Sequence, residues 1–168
     1  MSEGNQERLV WLLEVVAREG RHLQQTSGRL FTQPLDEAWY ASLEADPELA
    51  ERVDAFAARF GRMQDTLGDR LIPELLRQLL ETPGSALDNL HRMEKLGLLR
   101  STEEWVEARN LRNRLVHEYI RDARTFLDAL NRAGELVPML VQTYNAILGY
   151  AGDHLPGLAE RAQGRLPE

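Results

Sequence analysis

The sequence predicts an all-α protein, an up-and-down bundle of four long helices with one or two short ones. Three observations predict it. Apolar residues recur at alternating three- and four-residue steps, no segment sustains the period-two alternation of a strand, and proline and glycine cut the chain into helical lengths. At 168 residues the chain reads as one domain over residues 1–155, large enough to bury roughly two-thirds of its unfolded surface without a metal or disulfide staple. Residues 156–168 turn to glycine, proline and charge and read as a loose C-terminal tail.

The first helix is expected from about Gln6 to Phe31, with Leu9, Leu12, Leu13, Val16 and Leu23 inward and a weak point at Gly20. Thr32 to Leu35 breaks it, and Asp36 can cap a short helix carrying Trp39, Tyr40 and Leu43. Asp46 followed by Pro47 is a start signal, because proline at the first helical position gives up an N–H that has no partner there anyway. The stripe Leu49, Val53, Phe56, Phe60, Met63, Leu67 and Leu71 then supplies the backbone of a core. Pro73 falls late in this stripe and is expected to kink the helix or end it before Glu74 to Leu80 resumes. After the break at Thr82 to Gly84, Ser85 caps a helix through Leu90, Met93 and Leu96 that Gly97 ends. Ser101 to Glu104 reads as a capping box, starting a helix that continues to about Ile120. A last long helix is expected from about Asp122 to Tyr150, with Phe126, Leu130, Leu136, Leu140, Tyr144 and Ile147 inward and Pro138 as a kink.

The absence of cysteine excludes disulfide frameworks, thiolate zinc sites and cysteine nucleophiles. The polar, acidic first residues do not resemble a signal peptide, and the longest apolar runs fall far short of the roughly 18 residues of a membrane span, so a soluble cytoplasmic protein is expected. A net charge of −7 argues against a broad nucleic-acid coat. One region runs the other way: Arg109, Arg112, Arg114, Arg121 and Arg124 face only Glu118 and Asp122, a local balance of +3 that suits a confined phosphate site. There is no Gly-rich phosphate loop and no pair of histidines at zinc-helix spacing, so neither metal nor cofactor is expected.

Within the basic region Arg112, His117 and Tyr119 form the pattern R-x4-H-x-Y. Arginine can hold a phosphate with several fixed donors, histidine exchanges a proton near neutral pH, and tyrosine offers a modifiable hydroxyl. On a helical projection Trp105, Ala108, Leu111, Leu115, Val116, Tyr119 and Ile120 span one apolar arc, with Arg112 near its middle, where a charge needs a partner. Asn110, Asn113, Arg114, His117 and Arg121 lie opposite. His117 therefore stands roughly 140° from Arg112 on a regular helix, and Tyr119 nearly above Arg112 two turns later. The groups converge if the helix loosens near Val116, or if a second subunit brings its own copy across a shared cleft; the dimer is the favoured expectation.

The motif resembles the signature of HEPN proteins, in which an arginine followed by a polar residue precedes a histidine by a few positions; Arg112, Asn113 and His117 match it. The added Tyr119 resembles the HepT branch, the toxin half of HEPN/MNT toxin–antitoxin systems, also described as nucleotidyltransferase-associated proteins. The resemblance extends loosely from Asp46 to Arg132, including Arg59 to Asp65 and Lys95 to Leu98. It implies a helical homodimer with motif helices facing, an RNA substrate, metal-independent endoribonuclease activity, and an MNT-type nucleotidyltransferase as antitoxin. In those terms His117 is a general acid or base and Arg112 stabilises charge on the phosphoryl oxygens. Asn113 positions a phosphate or orients His117, Arg114 and Arg121 support phosphate binding, and Tyr119 is the candidate for AMPylation by the partner. The alternative is a non-catalytic helical module that binds the nucleotidyltransferase and helps present its substrate.

Plainer readings stand beside these. Arg112 can be a structural or snorkelling arginine, which in a purely structural bundle calls for a core carboxylate as its partner. Tyr119 can be a core tyrosine whose hydroxyl reaches the surface, and Arg114 and Arg121 solvated charges near a helix end. His22, His91 and His154 are expected at the surface or in packing. Asp65 and Asp69, four residues apart, could share a metal but more simply pair with Arg62 or Arg70 or stand exposed to solvent.

Overall fold

The computed structural model describes residues 3–117, 122–162 and 164–168, apart from the side chains of Glu3 and Asn5. Among the described residues every regular element is helical, so the chain is an all-α helical bundle. Helix α1 spans Glu3–Leu30, α2 Glu37–Ser42 and α3 Pro47–Thr66. A π-helical turn over Leu67–Leu71 joins α3 to α4, Ile72–Gln78. Helices α5, Ala86–Lys95, α6, Thr102–His117, α7, Ala123–His154, and α8, Leu158–Arg161, follow. No helix among the described residues is long and apolar enough to cross a membrane.

Local sequence explains most of the helix starts. The carboxylates of Asp36 and Asp46 accept from the backbone N–H groups of Trp39 and Leu49, and Ser85 and Asp88 form a reciprocal capping box. At α6 the Ser101 hydroxyl accepts from the Glu104 N–H, while the Glu104 carboxylate is engaged by Arg100. The expected inward residues of α1 and α7 are buried, and of the α3 stripe only Leu49 is partly exposed. Helix α1 runs antiparallel to α3: rising positions Arg59, Thr66, Arg70 and Glu74 meet the falling series Thr26, Glu19, Trp11 and Arg8. Helix α7 closes the other side, with the Phe31 ring lying on Gly134, where a β-carbon would come within 2.7 Å of the ring.

Pro73 neither ends nor breaks its helix. Proline's ring would clash with a carbonyl four residues back, and the π turn immediately before it opens the spiral: the N–H of Ile72 reaches five residues back to the carbonyl of Leu67. The helical path thus continues from Pro47 to Gln78. Pro138 is likewise accommodated on the exposed side of α7, which continues to His154. With α2, α5 and α8, the short helices outnumber the one or two expected.

Helices α4 and α5 end alike, with one difference. After α5 the N–H groups of Leu98 and Gly97 return to the carbonyls of Met93 and Glu94, with Gly97 at φ 75°. After α4 the N–H groups of Glu81 and Leu80 return to Leu76 and Arg77, but the left-handed position, φ 62°, is occupied by Leu80. A β-carbon in that conformation costs about 1–2 kcal/mol, and Leu80 is 84% exposed, so little packing offsets it. Leu80→Gly is therefore expected to stabilise the protein by about 0.5–1 kcal/mol after allowing for glycine's looser unfolded chain, read as a raised urea midpoint; a lowered midpoint would contradict it.

The described residues after Leu155 pack against the bundle and are not a loose tail. Helix α8 buries Leu158, and beyond it Leu166 inserts its side chain at Gly20 of α1, next to Met63. Asn145 of α7 holds the backbone of Leu166 from both sides, donating to its carbonyl and accepting from its N–H at 2.9 Å each. Gln24 adds a bond to the carbonyl of Pro167 at 2.7 Å. Gly20, expected as the weak point of α1, is instead the notch that receives this strap.

Candidate functional site

Helix α6 carries the motif and is fixed at both its start and its inner face. The Thr102 hydroxyl donates to Glu94 at 2.7 Å, tying the first turn to α5. Trp105, Ala108, Leu111 and Leu115 are buried, as their arc requires. Two glycines of α3 and the π turn set the approach. A β-carbon at Gly68 would stand 2.9 Å from Cζ2 of Trp105, and one at Gly61 would stand 2.7 Å from Nε of Arg112. Both glycines and both α6 residues are seven apart in sequence, two helical turns, so the helices cross antiparallel along a small-residue seam. Gln64 lies in that seam and donates to the carbonyl of Ala108 at 3.2 Å.

Arg112 lies across Gly61 and pairs with the carboxylate of Asp65. The arginine side chain is 33% exposed and the aspartate 43%, so the pair sits at the lip of the α3–α6 seam and not in the core. The core carboxylate that a purely structural arginine calls for is thus absent from this contact. Arg109 makes a looser pair with Asp69 at 3.4 Å. Asp65 and Asp69 therefore take their partners from α6, not from Arg62 or Arg70, because Arg109 and Arg112 are one turn apart on the face that meets α3. Among the described residues no group of three or more histidine, aspartate or glutamate side chains could hold a metal ion.

His117 is the last described residue of α6 and is exposed, as are Asn113 and Arg114. Arg114, in the last turn, meets the negative end of the helix dipole. The helix remains regular through Val116, so the loosening that would swing His117 toward Arg112 does not occur. Val116, assigned to the apolar arc, is instead 64% exposed in the last turn of α6. Within one chain the structure joins Arg112 to Asp65 and leaves Asn113, Arg114 and His117 on the outer face. Tyr119 and Arg121, with the expected end of the helix near Ile120, lie outside the described residues. Beyond them Asp122 caps α7, and bonds from the Thr125 hydroxyl and the Arg124 N–H hold its carboxyl below the usual carboxylate range.

Other titratable groups stand apart from the motif. Burial pushes the Glu19 carboxyl up, against the opposing Thr66 hydroxyl that donates to it at 2.9 Å and the nearby charges of Arg62 and Arg70. His22 and His91 are exposed, and His154 stacks on Tyr150 at 3.8 Å between ring centroids. Gly61 and Asp65 are the site residues that sequence reasoning passed over as such. A signal existed: two helix-interior glycines seven residues apart, each unfavourable for a helix by about 1 kcal/mol relative to alanine, mark a close approach. No family model, no curated protein and no solved structure matches the chain.

Proposed function

We propose that this protein is a HepT-like endoribonuclease of the HEPN type, acting as a homodimer and neutralised by a nucleotidyltransferase partner. The observation that carries the reading is the placement of Arg112 and His117 on one unbroken helix. Both reach solvent, yet five helical positions turn them roughly 140° apart, which supports a reading in which a second copy of α6 completes the site. The neutral outer stripe Val106, Asn110, Asn113 and His117, spaced four, three and four residues apart, offers a face on which two such helices can meet.

In the proposed reaction the ribose 2′-hydroxyl attacks the adjacent phosphorus while the imidazole of His117 accepts its proton. The bond from phosphorus to the 5′ oxygen breaks, a protonated imidazole returns a proton to that oxygen, and the products are a 2′,3′-cyclic phosphate and a 5′-hydroxyl. Arg112 stabilises the charge that builds on the non-bridging oxygens. Asn113 and Arg114 bind or orient the phosphate, with Arg121 as a further contact. Tyr119 is the acceptor of AMP from the partner, a modification that adds bulk and negative charge beside the phosphate site. The setting is cytoplasmic.

The test is incubation of the purified chain with total cellular RNA and oligoribonucleotides in EDTA, with product ends analysed for cyclic phosphate. Cleavage with cyclic ends supports the reading. The engagement of Arg112 by Asp65 favours a second one, a non-catalytic module that docks beside a nucleotidyltransferase. Tight binding of such a partner with no cleavage of any RNA decides for the module.

A further inference from the structure

The contact that neutralises Arg112 also determines where its guanidinium can point. An arginine side chain has four rotatable bonds, and on an exposed helix face it samples many orientations. Arg112 is denied that freedom in three ways. Gly61 lets the guanidinium approach α3 more closely than any other residue type permits, since a β-carbon there would stand 2.7 Å from its Nε. Asp65, one helical turn beyond Gly61, holds one of its terminal nitrogens. The backbone at the root of the side chain is pinned by Gln64 at Ala108 and by Trp105 against Gly68. Arg109 has the looser contact with Asp69, and Arg114 has no ion-pair partner among the described residues.

We propose that Asp65 is the positioning residue for Arg112, a carboxylate on α3 that holds the guanidinium across Gly61 so that its remaining donors are presented to a phosphate. The inference rests on the reading of Arg112 as the group that stabilises the reacting phosphate. A guanidinium has five N–H donors, and Asp65 draws on one nitrogen, so the fork keeps donors for a second anion. Fixed orientation matters because a donor that need not reorganise contributes most as charge develops. A gate, in which Asp65 merely occupies Arg112 until RNA displaces it, has the opposite consequence: removing the carboxylate would then free the arginine, tighten binding and raise the rate.

The test uses the full-length chain with two independent readouts. The first is the order of the Arg112 Nε–H group by ¹⁵N relaxation, assigned by its loss in Arg112→Ala. It is expected to be ordered in wild type, mobile in Asp65→Asn, partly restored in Asp65→Glu and unchanged in Asp69→Asn. The second is cleavage at saturating oligoribonucleotide beside affinity for the 2′-deoxy oligonucleotide of the same sequence. Asp65→Asn is expected to lower the rate about 10- to 100-fold while that affinity moves less than about threefold, and to have no further effect once Arg112 is alanine. An Arg112 that stays ordered in Asp65→Asn overturns the proposal. So does a rate that holds or rises, or an equal loss in the Arg112→Ala background. If wild type cleaves no RNA while the relaxation contrast holds, the ribonuclease reading falls and the positioning role stands.

Discussion

Replacing His117 with alanine is expected to lower RNA cleavage by about 10²- to 10⁴-fold, the usual range for a positioned general acid or base. The fold should be untouched, because His117 is exposed and, among the described residues, makes none of the contacts that seat α6. Arg112→Ala should cost about 10²- to 10³-fold, the scale of losing one strong donor to a developing oxyanion. Its effect on stability should be small, since the partner it leaves behind, Asp65, is 43% exposed and can be solvated. Single-turnover cleavage with unchanged circular dichroism and unfolding midpoint checks both. A variant that cleaves at the wild-type rate removes that residue from the site.

Leu166→Ala is expected to destabilise the fold by about 2–4 kcal/mol, the range for emptying a buried leucine site. For a chain of this length that corresponds to a fall of roughly 5–15 °C in Tm. The effect is large for a residue two places from the C-terminal residue of the sequence because its side chain is 1% exposed and reaches through the notch at Gly20 toward Met63. Asn145→Ala should cost about 1–3 kcal/mol, since it removes both bonds to the Leu166 backbone and leaves polar groups at a buried site. The two losses should fall short of additive when combined, because each undocks the same strap. Urea unfolding of the two single variants and the double variant measures this. Unchanged midpoints in all three would mean that residues 164–168 contribute nothing and that composition describes the tail better than packing does.

What was legible beforehand is what local sequence controls. Asp36, Asp46, Ser85, Ser101 and Asp122 mark helix starts because a capping side chain bonds an N–H two or three residues away. Phe56, Phe60, Met63 and Leu67 declare their burial through spacing alone. What was not legible depends on residues far apart. Pro73 is absorbed by a π turn that the surrounding bundle sustains, and the strap depends on Leu166 meeting Gly20 and Asn145. At the site, the projection correctly separated Arg112 from His117 and required a partner for the arginine. It could not name Asp65, 47 positions earlier in the chain, nor see that Gly61 would be the surface on which the guanidinium rests.

The central claim, a site made from two copies of α6, is tested most directly by mixing two inactive variants. Arg112→Ala and His117→Ala are purified, combined, unfolded and refolded together, and assayed on an oligoribonucleotide that wild type cleaves. A heterodimer has one cleft that pairs Arg112 of one protomer with His117 of the other. Half of the dimers formed at random are mixed, so about a quarter of wild-type turnover should return. If the mixture stays as inactive as its components, each site draws Arg112 and His117 from a single chain, and the dimeric account is contradicted.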